Sequence, residues 1–108
     1  MELASINTEL REAAQRLRNG SSELFKLAKE KAEAEREYRI ALNVQIVKLK
    51  DEGERATLIP DRARGMIADK KYDRDLSDAR YTAGKELLNS LRAEVSALQS
   101  ILRNSEEV

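Results

Sequence analysis

The sequence predicts an all-α protein built as a long antiparallel helical hairpin of coiled-coil type. Charged residues make up 37% of the 108, with 20 Lys+Arg interleaved among 20 Asp+Glu, as in long amphipathic helices. Only four Gly and one Pro interrupt the chain, and apolar residues recur at spacings of three and four. No run alternates in the way a strand requires. We therefore predict a single helical domain over residues 1–108, with a short N-terminal helix and a one-turn helix in the connector.

The first predicted helix covers about residues 3–18. Its apolar positions are Leu3, Ile6, Leu10, Ala13 and Leu17. Because Gly readily adopts the left-handed conformation after a last helical turn, we expect Asn19 and Gly20 to end this helix. Ser21 and Ser22 supply a hydroxyl to cap the next one.

The second predicted helix covers about residues 22–52, a stretch of about 30 residues without Gly or Pro that is rich in helix-forming side chains. Gly53 is expected to end it. The connector, residues 53–65, reads as one helical turn in which Thr57 supplies a cap, Pro60 lies in the first turn and Gly65 ends the turn.

The last predicted helix covers about residues 67–104 and has the clearest heptad pattern of the chain. Its members, spaced alternately by four and three, are Gly84, Leu88, Leu91, Val95, Leu98 and Leu102. Two long helices joined by a short connector form an antiparallel hairpin. The N-terminal helix then packs beside this hairpin or is swapped onto a neighbouring chain.

The apolar surface of the last helix exceeds what one neighbouring helix covers. We therefore predict a homo-oligomer, a dimer first and a trimer or tetramer next. The predicted interface is formed by Leu87, Leu88, Leu91, Val95, Leu98 and Leu102. The alternative is a monomeric three-helix bundle in which residues 3–18 cover the same surface.

The connector carries three arginines within ten residues, Arg55, Arg62 and Arg64, beside Asp61. Guanidinium groups offer paired donors to carboxylate or phosphate, so these four residues are candidates for binding an acidic partner, a nucleotide or a nucleic-acid backbone. The alternative is that Glu54, Asp61 and Asp69 neutralise the arginines and that the loop only closes the hairpin.

The chain has no Cys and no His, which excludes Cys or His zinc sites, thiol nucleophiles and Ser-His-Asp catalysis. The spacings Glu30-x-x-Glu33 and Asp75-x-x-Asp78 superficially fit carboxylate binding of Mg²⁺, but such pairs are common in any charged helix. We predict no enzyme activity, no metal and no cofactor. No apolar run approaches the roughly 20 residues of a membrane span, and the acidic N-terminus does not resemble a signal peptide, so we expect a cytoplasmic protein.

The segment ATLIPDRARG of residues 56–65, followed by a helix ending in LQSILR at residues 98–103, resembles small helical proteins encoded by phages and prophages of Gram-positive bacteria. The resemblance covers about residues 33–103. It implies a protein of the host cytoplasm that assists DNA replication or recombination, or that binds a host protein.

The function we predict is that of a non-enzymatic, self-associating helical interaction protein with a protein partner, such as a phage accessory factor that binds a host or phage protein. The alternative is nucleic-acid or nucleotide binding through the connector arginines Arg55, Arg62 and Arg64, despite a net charge of zero.

Overall fold

A computed structural model describes residues 2–106, and the side chains of residues 2–105. These residues form three helices and no strand: α1 over Leu3–Asp51, α2 over Ile59–Met66 and α3 over Ala68–Glu106. The prediction of an all-α helical hairpin, with two long helices joined by a short helical connector, is confirmed.

The pairing face of α1 is a heptad seam, a line of residues spaced alternately by four and three that are all buried or half-buried. The α1 seam consists of Ile6, Leu10, Ala13, Leu17, Gly20, Leu24, Leu27, Lys31, Ala34, Tyr38, Ala41 and Gln45. The matching seam of α3 consists of Arg74, Ser77, Tyr81, Gly84, Leu88, Leu91, Val95, Leu98 and Leu102. The heptad spacing seen in the sequence of α3 therefore extends along both long helices.

The predicted break at Asn19 and Gly20 is wrong, because α1 runs through both residues as one helix of 49 residues. Gly20 is a seam position, where a Cβ atom would lie 2.8 Å from Cδ1 of Leu88 and 3.8 Å from Cδ1 of Leu91. The glycine thus serves close packing against α3 rather than helix termination. The separate N-terminal helix over residues 3–18 is instead the first third of α1.

The end of α1 agrees with expectation at Gly53, whose φ of 78° is the left-handed conformation that Gly adopts easily. The start of α2 differs from the sequence prediction. Leu58 occupies the cap position and no side chain donates or accepts a capping hydrogen bond, so the predicted Thr57 cap is wrong. Pro60 does lie in the first turn, and Gly65 lies inside α2 rather than at its end.

The chain divides into two compact units. The terminal unit comprises the described residues of Met1–Lys26 and Thr82–Val108, and its buried side chains are Ile6, Ala13, Leu88 and Leu98. The connector unit comprises Leu27–Tyr81. Its apolar core is a cluster of Leu49 with Ile59 and Ala63, against which Leu42 and Ile46 pack.

Candidate interaction surfaces

The predicted oligomer interface lies largely inside the terminal unit. Leu88 and Leu98 are buried, with 3% and 7% of their surface exposed, and Leu91, Val95 and Leu102 are half-buried. Only Leu87 is exposed, at 62%. Self-association through this whole set would require α1 and α3 to separate in the terminal unit.

The described surface carries a different apolar feature, which we call the α1 stripe: Ile40, Val44 and Val47, exposed by 57%, 56% and 57%. Their spacing of four and three places them on one side of α1. The α1 stripe is the longest such run of exposed large apolar side chains in residues 2–105.

The α1 stripe exists because residues 40–49 of α1 carry apolar side chains on two sides of the helix. One side, formed by Leu42, Ile46 and Leu49, is covered by α2. The other side has no covering element among the described residues, and its three members stay more than half exposed. The sequence analysis did not predict this stripe. Its signal in the sequence is the apolar arc of residues 40–49, which is wider than a single seam.

Two of the three connector arginines are paired within the connector. Nη1 of Arg62 donates to Oε2 of Glu54, and Nη1 of Arg64 lies 3.1 Å from Oδ1 of Asp61. The Arg55 backbone N–H donates to Oε1 of Glu54 at 3.2 Å, and its guanidinium joins no ion pair with the described residues. Glu54 and Asp61 thus neutralise connector arginines, as the second interpretation of the connector predicts. Asp69 joins no ion pair with the described residues.

A polar groove crosses the seam of the connector unit, lined by Lys31, Glu35, Arg74, Asp75 and Asp78. Nζ of Lys31 lies 3.1 Å from Oδ1 of Asp78, and Nε of Arg74 lies 3.8 Å from Oε2 of Glu35. Both cations also stack on aromatic rings, which lie at 4.1 Å for Arg74 over Tyr38 and 5.0 Å for Lys31 over Tyr81. The cations and carboxylates of the groove are already paired with each other.

Asp75 is the groove carboxylate whose protonation the structure perturbs. The hydrogen bond that Lys71 donates to it at 3.3 Å lowers the pKa of Asp75, desolvation opposes this, and the hydrogen bond from Arg74 lowers it further. Desolvation lowers the pKa of Arg74, but the hydrogen bond to Asp75 and the nearby negative charges outweigh it and raise that pKa. The charged forms of both groups are therefore favoured by folding.

The two carboxylate pairs considered for Mg²⁺ lie on different helices and are engaged by cations. Oε2 of Glu30 lies 3.5 Å from Nη1 of Arg80, and Oε1 of Glu33 lies 4.0 Å from Nζ of Lys29. Asp75 and Asp78 belong to the groove described above. No group of three carboxylates suited to a metal ion occurs among the described residues.

None of the helices in residues 2–106 is both long and apolar enough to span a bilayer. Comparisons of the chain with models of protein families, with curated proteins and with solved structures find no match.

Proposed function

We propose that this protein is a non-enzymatic helical interaction protein that self-associates through the α1 stripe. The observation that carries the proposal is the exposure of Ile40, Val44 and Val47 along one side of a helix whose opposite side is already covered by α2. Amphipathic helices bind partners through apolar side chains at this spacing.

The energetics favour a weak or moderate association. Full burial of a Val or Ile side chain contributes about 1.5 to 3 kcal/mol, and each member of the α1 stripe still has more than half of its surface in water. Six such side chains in a dimer offset the several kcal/mol lost in translational and rotational freedom. We therefore expect the assembly to dissociate with a Kd in the micromolar to millimolar range.

Nucleic-acid or nucleotide binding through the connector has less support. It requires several unpaired guanidinium groups, but Glu54 and Asp61 each hold one of the three. In the phage context that the sequence resemblance implies, a helical interaction protein acts in the host cytoplasm by binding a host or phage protein.

Light scattering over about 10 µM to about 1 mM tests the proposal. The variant Ile40→Gln, Val44→Gln, Val47→Gln removes the α1 stripe. Gln is a good helix former and carries no charge, so the helix and the net charge are kept. We expect the wild-type mass to rise above 12.2 kDa with concentration and the variant to remain at 12.2 kDa with unchanged helicity.

The matched control is Phe25→Gln, which removes another exposed apolar residue of α1, at 74% exposure, outside the stripe. It should assemble like the wild type. A wild-type mass of 12.2 kDa across the whole range contradicts the proposal, as does assembly of the triple variant at wild-type concentrations.

A further inference from the structure

We propose that two copies pair their α1 stripes antiparallel, about a two-fold axis that passes beside Asn43 and Val44. This inference rests on the proposed self-association and specifies its geometry. The partner it names is a second copy of this chain, and the interface is the α1 stripe packed on itself.

The spacing of the α1 stripe fits such a two-fold axis. With the axis between residues 43 and 44, Ile40 of one copy lies level with Val47 of the second copy, and the reverse contact follows by symmetry. The two Val44 side chains then lie on either side of the axis, displaced by only about 1.5 Å along the helix direction. All three apolar side chains of each copy thus meet apolar side chains.

The charges at the two ends of the α1 stripe decide between antiparallel and parallel pairing. Arg36 lies four residues before Ile40 and Asp51 lies four residues after Val47, so both continue the side of α1 that carries the stripe. An antiparallel pair places Arg36 level with Asp51 of the second copy, twice per dimer. In a parallel pair in register, Arg36 lies beside Arg36 of the second copy and Asp51 beside Asp51, and both contacts are repulsive.

Arg36 and Asp51 are also available for this contact. Neither joins an ion pair with any described residue, whereas Glu37, the carboxylate beside Arg36, lies 3.5 Å from Nζ of Lys70 in its own chain. Unpaired opposite charges at the two ends of an exposed apolar stripe are the complementarity that a second antiparallel copy satisfies.

The position of α2 predicts that this assembly stops at two copies. Because α2 covers the side of α1 formed by Leu42, Ile46 and Leu49, a single uncovered side is left on this segment. A two-fold contact uses the same patch on both copies and leaves no stripe for a third.

Single-cysteine cross-linking reads the geometry directly, because the chain has no cysteine of its own. Val44→Cys is expected to form a disulfide-linked dimer on mild oxidation, since its two copies lie beside the axis. The two copies of Ile40→Cys lie about 10 Å apart along the helix direction, beyond disulfide reach, so this variant should not cross-link. The double variant Ile40→Cys, Val47→Cys should cross-link strongly.

The control for random collision is Phe25→Cys, which is more exposed than any stripe residue and should give only background dimer. Cross-linking of Ile40→Cys as efficient as that of Val44→Cys indicates parallel pairing and overturns the geometry. So does background-level cross-linking of Val44→Cys in a protein whose mass is that of a dimer, an outcome that leaves self-association itself intact. A protein that stays monomeric throughout contradicts both.

Charge reversal tests the end contacts independently. Arg36→Asp should weaken dimerisation about 10-fold, because it replaces two exposed attractions by two repulsions. Adding Asp51→Arg to the same chain should restore the affinity to within about twofold of the wild type. Failure of the second change to rescue the first contradicts the antiparallel register.

Discussion

The terminal unit and the connector unit use the same heptad spacing with different chemistry. In the terminal unit the seam is apolar, and Ile6, Leu88 and Leu98 are buried in it. In the connector unit the same spacing brings Lys31 and Arg74 to the seam, where they are held by carboxylates and tyrosine rings. Spacing thus determines which residues face the partner helix, whereas the residue types determine how much that contact stabilises the fold.

The two units also specify the antiparallel register by different means. In the connector unit, the pairs Lys31 with Asp78 and Glu35 with Arg74 move four residues forward on α1 and four back on α3. In the terminal unit, the absence of a side chain at Gly20 admits Leu88 at close range. Ion pairs orient the helices and are individually worth up to about 1 kcal/mol at the surface, so most of the stability has to come from buried apolar contacts.

The largest expected effect comes from the apolar seam. Leu88→Ala should lower the free energy of unfolding by about 2 to 5 kcal/mol, because it leaves a cavity beside Gly20. The adjacent residue is a matched control, since Leu87→Ala removes the same atoms from an exposed position and should change stability by less than about 0.5 kcal/mol. Urea unfolding followed by circular dichroism measures both, and equal losses would contradict the assignment of Leu88 to the seam.

A smaller effect, of opposite sign, is expected at the polar end of the α1 seam. Oε1 of Gln45 is buried and has no hydrogen-bond partner among the described residues. Gln45→Leu should raise the free energy of unfolding by about 1 kcal/mol, because it removes an unsatisfied acceptor and adds apolar contact. Gln99→Leu, the same change at an exposed position, should have little effect on urea unfolding. A destabilised Gln45→Leu variant would show that the amide has a partner in solution.

The smallest expected effect is the acid response of the connector unit. Because the folded-state pKa of Asp75 is lowered, its contribution to stability is present above its unfolded pKa of about 4 and is lost as pH falls through the folded value. Asp75→Asn should therefore lower the melting temperature slightly near neutral pH, and the difference from the wild type should shrink below about pH 4 and vanish once the pH is below the folded pKa of Asp75. Asp73→Asn, at a neighbouring carboxylate, is the control. A difference between Asp75→Asn and the wild type that persists in acid would contradict the assigned pairing of Asp75 with Lys71 and Arg74.

Much of the fold was predictable from local sequence. The lack of Gly and Pro over long stretches, the spacing of apolar residues and the position of Gly53 correctly predicted two long helices with a short helical connector. The candidate surface was not predictable in the same way. The leucines of α3 are predicted to form a contact between copies, because local sequence does not show that Leu88 and Leu98 are buried within the terminal unit.

The sequence by itself determined the helical periodicity, since each backbone hydrogen bond and each stripe of a helix depends only on residues within four positions. The tertiary structure decided what each stripe faces, because that depends on residues far apart in the chain. Gly20 packs closely against Leu88, a residue 68 positions away in the chain. Likewise α2 packs on the side of α1 that carries Leu42, Ile46 and Leu49, whereas Ile40, Val44 and Val47 stay exposed.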